Sequence, residues 1–188
     1  MTQQLKGSIK VILQGDGGGE LFGGYGYYNF AAALPFWSVV EKAYRLLPKS
    51  VATLHRKTQG FSRLMRIARQ KDPAMRWAYL LSHESTAVPE NAFTPAYRKE
   101  LLRHDPFRRY REIASRIGHL DRVQQLLYTD TCILLPDTYF EKVDKPTMAS
   151  SIEVRVPFIS NELSEFALGL PSSMKIRRGA KKYILRKA

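Results

Sequence analysis

Asp16 and Glu20 are the acids of a glycine-dense stretch, Val11-Ile12-Leu13-Gln14-Gly15-Asp16-Gly17-Gly18-Gly19-Glu20-Leu21-Phe22-Gly23-Gly24-Tyr25. Five glycines fall within residues 15–23. Glycine tolerates positive φ and lets a backbone approach a ligand closely. The two carboxylates suit a metal, a ribose or an amine. The apolar run before them predicts a buried strand. A strand that runs into such a loop is where α/β proteins hold phosphates on free N–H groups at a helix start. The same spacing also describes a glycine-rich turn closed by a cap. It is neither G-x-G-x-x-G with a well-placed acid nor a Walker loop, because no Gly-Lys-Ser/Thr follows.

The second chemical stretch runs from Leu135-Pro136-Asp137 to Phe158. Asp144, Glu153 and Arg155 stand there in apolar company. A charge in such surroundings needs a partner or a ligand. Either Arg155 pairs with a carboxylate and holds an element in place, or these charges face a substrate. His55, His83, His104 and His119 lack metal-ligand spacing and receive no role. The single cysteine, Cys132, reads as a buried small hydrophobe.

The elements that must position these groups are mostly helical. Ile9–Leu13 is the one clear strand, and Val154–Phe158 is a short extended candidate. Tyr25, Tyr27, Tyr28 and Phe30 read as packing beneath the loop, or as a stack for a base. Pro35 and Pro48 bracket a helix. Leu54, Phe61, Leu64, Met65 and Ile67 suggest another, broken near Gly60. Residues 82–93 read as a loop. Asp72-Pro73, Thr94-Pro95 and Asp105-Pro106 repeat one signature, a capping side chain followed by proline in the first turn. Gly118 reads as a helix stop. Helical faces continue through residue 134, over Val143–Ser150, and over Asn161–Leu168 with Leu163, Phe166 and Leu168 inward. A final helix after Gly179 runs to Ala188. One strand cannot make a sheet. The chain is then either all-helical or a piece of an α/β protein, and its end in mid-helix favours the piece.

The 188 residues carry 44% apolar side chains, enough for a core and too many for a disordered chain. No apolar run reaches the length of a membrane span and no signal peptide is visible, so a cytoplasmic location is expected. The net charge of +13 is unevenly spread. Residues 41–77 hold ten basic and two acidic groups, and residues 126–174 hold three and seven. A basic helical middle suits nucleic acid or an anionic surface, or is simply a solvated face.

Taken together, three stretches resemble the synthetase domain of glutamine-dependent asparagine synthetases. They are Gly15–Tyr25, then Lys142-Val143-Asp144 with Met148-Ala149-Ser150 and Glu153-Val154-Arg155-Val156-Pro157-Phe158, then Lys182-Tyr183-Ile184-Leu185-Arg186. They stand in the family's order. The resemblance implies a mainly α chain: the helical C-terminal part of an α/β, Rossmann-like synthetase domain of the adenine nucleotide alpha hydrolase type, as a single domain over 1–188. It implies ATP and Mg²⁺, an aspartate-like carboxylate activated as an acyl-adenylate, and ammonia from a separate glutaminase domain. Asp16, Glu20 and Glu153 become the catalytic candidates. Gln14, Gly15, Gly17, Lys182 and Arg186 become the nucleotide-side candidates.

The departures shape the expectation. Gln14 stands where the family has Ser, Ser160 where it has Asp, and Gly19 where it has an acid that helps hold Mg²⁺, so the magnesium site is in doubt. The Ser-Gly-Gly-x-Asp-Ser loop, the Lys-Lys-x-Gly-Phe segment and the glutaminase domain are not in these residues. Little synthetase activity is expected from the chain alone, which reads as a fragment, a split subunit with a partner, a homodimer, or a decayed relative. The reading from another class is a non-catalytic basic helical module that binds nucleic acid or an acidic partner.

Overall fold

The computed structural model describes residues 2–46, 59–82 and 93–188. Two compact units form, one from residues 1–29 and 120–188, the other from residues 30–119. Leu54, Pro48, His55, His83 and most of the expected 82–93 loop lie outside the described residues.

The first unit is built on a parallel strand pair. Strand β1 (Val11–Leu13) lies beside β2 (Glu153–Arg155), with Val11 opposite Glu153 and Leu13 opposite Arg155. The ladder extends past both ends: the Glu153 N–H donates to the Lys10 carbonyl at 2.8 Å and the Gln14 N–H to the Arg155 carbonyl at 2.9 Å. This corrects two expectations. The strand starts at Val11 rather than Ile9, and it is not buried, since Val11 is 40% and Leu13 74% exposed. An apolar run reports what a strand could bury, not what covers it. Nor is the strand alone. Glu-Val-Arg is extended too, although its end residues are charged.

Gln14 thus leaves the ladder at a fixed point and the loop begins there. Gly17 takes φ 86° and opens the short helix Gly18–Phe22, which Gly23 closes at φ 73°. The helix packs against Arg122–Cys132 and Asn161–Gly169. Leu21 and Phe22 are buried with Ala167, and Phe158, Ile159, Leu163 and Leu168 pack around them. Arg122–Cys132 starts at Asp121, whose Oδ1 accepts from the N–H groups of Val123 (2.9 Å) and Gln124 (3.1 Å). The same cap takes a hydrogen bond from Ser172 Oγ at 3.0 Å. Beside it, fully buried Lys175 donates to Gln124 Oε1 at 2.9 Å, and burial lowers its pKa to about 8.

A π-helical turn, Leu135–Phe140, leads into the helix Glu141–Met148, which tolerates Pro146 inside it. In Asn161–Gly169 the buried position is Ala167, while Phe166 is 58% exposed, against the expected inward face. Cys132 is half-buried rather than buried. The expected last helix is only a 3₁₀ turn, Ile184–Arg186, after a tight bridge between Arg177 and Ala180 in which Gly179 has φ 82°.

The second unit is helical in its described residues. Gln59–Arg69 packs on Leu34–Leu46 and on Pro73–Leu81, which packs on Arg108–Ile117. Ala31, Ala78, Ile67 and Trp77 are its most buried described side chains. Asp72 and Thr94 cap their helices as expected, through the N–H groups of Ala74 (2.9 Å) and Tyr97 (3.4 Å). Asp105 does not. It accepts from the Phe107 N–H in a turn, and the helix starts only at Arg108. Asp105 instead pairs with Arg111 at 2.8 Å. Gly118 follows Ile117 as the stop, but in a right-handed conformation.

A Cβ on Gly17 would lie 2.0 Å from Ile159 Cδ1, at a φ that L-residues avoid, whereas one on Gly15 meets nothing. Gly17→Ala is therefore expected to destabilise by about 2 kcal/mol and Gly15→Ala by less than about 0.5, in urea unfolding followed by circular dichroism.

Candidate active site

Beyond the loop lies a hollow of about 440 Å³. Three carboxylates, Asp16, Glu141 and Asp144, face it, with Pro136, Phe140, Val143, Val154, Val156 and Ile159 as walls. Each element places its share. The ladder fixes Gln14, whose Nε2 donates to Asp16 Oδ2 at 2.7 Å and sets the carboxylate. Glu141 and Asp144 are three apart on one helix, so they share a face. Val154 comes from β2, and Val156 follows that strand. Burial, then the charge of Glu20, raises the Asp16 pKa, and Lys142 works against them. Glu141 is ion-paired to Lys145. Acids on an apolar lining suit a cationic or amine-bearing ligand and repel phosphate.

A second polar group lies in the interior. Glu20 is 1% and Asp130 0% exposed. The Tyr25 hydroxyl donates to Glu20 Oε1 at 2.6 Å. Tyr27 and Tyr28 both donate to Asp130 Oδ2, Tyr27 at 2.5 Å. Tyr25 stacks on Tyr27 and on Tyr139, with centroids 5.2 and 6.1 Å away. Burial raises the Asp130 pKa to about 6, the phenol hydrogen bonds oppose this, and the Glu20 charge adds to it.

The candidates from sequence separate accordingly. Gln14 and Asp16 come together at the hollow. Gly15 is exposed and Gly17 is the left-handed pivot. Glu20 points inward, to the tyrosines. Glu153 is exposed and pairs with Arg155 at 2.9 Å, and it does not line the hollow. Lys182 is half-buried with Cε against Gly24, and Arg186 is exposed; neither lines the hollow. Sequence reasoning passed over Glu141 and Asp130. Asp130 was legible: it follows Val123, Leu126 and Leu127 at helical spacing, which puts a carboxylate on a buried stripe.

A parallel strand pair, a strand-to-helix glycine loop and an acid-lined hollow beside it form the kind of arrangement in which α/β proteins place small-molecule sites at strand ends. The chain belongs to the asparagine synthase family, which it matches over residues 1–188. It is 28% identical to asparagine synthetase [glutamine-hydrolyzing] 1 of Bacillus subtilis (strain 168), over all of this chain and 29% of that protein. It is 29% identical to a putative asparagine synthetase [glutamine-hydrolyzing] of Mycobacterium bovis, over all of this chain and 28% of that protein. The chain thus spans less than a third of the length of these curated relatives. No solved structure matches it.

The resemblance implied magnesium, and the residues present do not fit it. Among the described residues no group of three or more His, Cys, Asp or Glu side chains could hold a metal. A Cβ on Gly19 would lie 2.9 Å from Tyr25 Cζ, so the ring stands where an acid would start. The hollow does not fit a triphosphate either, since none of its lining residues is a cation. No helix among the described residues is long and apolar enough to cross a membrane.

Asp130 makes a pH signature. Its pKa in the fold, about 6, lies above the ordinary 3.8, so the folded chain holds a proton that the unfolded chain has released. That stabilisation is complete below about pH 4 and disappears as pH rises through about 6. The stability of the wild type relative to Asp130→Asn should therefore fall between these pH values, by about 3 kcal/mol, in urea titrations at stepped pH.

Proposed function

We propose that this chain supplies the amine side of an ATP-dependent, amide-forming synthetase site. The carboxylate is aspartate-like and arrives activated. The nucleophile is ammonia from a glutaminase domain. The fold reading that goes with this is the helical part of a Rossmann-like synthetase domain. The observation that carries it is the hollow itself, with three carboxylates over apolar walls and no lining cation.

The chemistry follows from charge. Ammonium is the main form of ammonia at neutral pH, and acids in a concave site raise its local concentration. To attack a carboxyl carbon the nitrogen must lose a proton. Asp16 is held by Gln14 at the hollow, and burial together with Glu20 makes it a better proton acceptor than an exposed aspartate. Asp144 adds charge at the same surface, while Glu141 is partly answered by Lys145. The C–N bond then forms and the activating group leaves with its electron pair; of the two protons that ammonium gives up on becoming an amide nitrogen, Asp16 accepts one and the departing oxyanion or solvent takes the other. Phosphate binding falls to residues other than these.

The basic-module reading has less support. Within the basic stretch 41–77, Arg45 is ion-paired to Glu41. Arg63 and Arg76 donate to backbone carbonyls. A helical face that answers its own charge has less left for a polyanion.

Titration with methylammonium is expected to shift the methyl resonances of Val143, Val154 and Ile159, and Asp16→Asn with Asp144→Asn to abolish the shift. ATP with Mg²⁺ should leave them in place, and the chain with ATP, Mg²⁺, aspartate and ammonia should release no pyrophosphate. Shifts with ATP–Mg²⁺ but none with methylammonium would overturn the reading.

A further inference from the structure

We infer that the buried Glu20–Asp130 cluster is a binding site for a monovalent cation of potassium or ammonium size. Each carboxylate uses one oxygen for phenols and leaves the other bare. Glu20 Oε2 and Asp130 Oδ1 are both buried without a hydrogen-bond partner. The residues that hold them are 1% and 0% exposed. No described lysine, arginine or histidine forms an ion pair with either; Lys182, whose Cε lies against Gly24, does not reach them.

A bare buried acceptor costs about 1–3 kcal/mol, more when charged. A buried charge that has no counter-charge is worse still. The two acids feel each other, since the Glu20 charge raises the Asp130 pKa. One occupant answers both. Tyr27 and Tyr28 have given their hydrogens to Asp130, so their oxygens keep acceptor capacity beside that carboxylate, off the axis of the O–H bonds. The donor set is then all oxygen, two of them anionic, which suits a hard cation. An alkali ion would take these as ligands, and ammonium would donate N–H bonds to them.

Neither Glu20 nor Asp130 lines the hollow at Asp16, and the two sites meet only through the Glu20 charge, which raises the Asp16 pKa and which a bound cation would offset. The test is a thermal melt of the protein in potassium, ammonium or tetramethylammonium chloride at equal ionic strength, with tyrosine difference absorbance as a second signal. Potassium or ammonium should raise Tm by about 2–4 °C in a saturable way. Both should perturb the tyrosine spectrum. The two arms tell a metal-type site from a hydrogen-bonding one. Glu20→Gln should remove the salt preference and Asp16→Asn should keep it. Equal melting in all three salts with an unchanged tyrosine spectrum, which means that a proton or water fills the gap, overturns the inference without needing any variant to fold.

Discussion

Two carboxylates are buried in this chain with phenols as their hydrogen-bond donors, and the rest of the first unit is arranged around that fact. Hydrogen bonds to a charged group are worth about 1.5–3 kcal/mol each, and a stranded one costs as much or more. Asp130 takes two such bonds, from Tyr27 and Tyr28. They join the helix Gly26–Ala32 to Arg122–Cys132. Tyr25 carries the same constraint to Glu20, inside the short helix that follows the glycine loop. Shift Asp130 and the tyrosines must move; shift the tyrosines and the loop that presents Asp16 loses its footing.

Close packing follows from this anchor. Gly24 lies with its would-be Cβ 2.8 Å from Gly19 Cα, and the Gly24 N–H donates to the Gly19 carbonyl at 2.7 Å. The Tyr25 ring then fills the space that a side chain at Gly19 would use. The departure from the family pattern at Gly19 is therefore a packing matter as well as a loss of charge. A loop this tight has no slack. Asp16 is aimed by Gln14, and Gln14 by the strand ladder. The hollow inherits its acidity from Asp16 on one side and from the helix Glu141–Met148 on the other.

Much of this could be read from sequence where one residue decides the outcome. Asp72-Pro73 and Thr94-Pro95 became capped helix starts because the capping oxygen and the ring's fixed φ act locally. Asp105-Pro106 carried the same signature, but its oxygen closes a turn on the Phe107 N–H and the helix begins only at Arg108. The Arg155 alternatives resolved toward Glu153, two residues away on the same exposed strand. Strand burial was beyond reach: Leu13 is apolar yet 74% exposed, and an apolar run does not say what packs on it. Phe166 misled for a related reason, since Ala167 won the buried position against Leu21 and Phe22. The pairing of Tyr28 with Asp130 spans about a hundred residues, and no local pattern announces such a contact.

The anchor can be weighed directly by a double-mutant cycle on unfolding free energy, with Tyr28→Phe, Asp130→Asn and the pair. If the phenol–carboxylate bond holds the loop in place, the two changes should couple by at least about 1.5 kcal/mol, with the pair costing much less than the singles combined. Additivity within about 0.3 kcal/mol would mean that the contact carries no weight and that the site is held by something else.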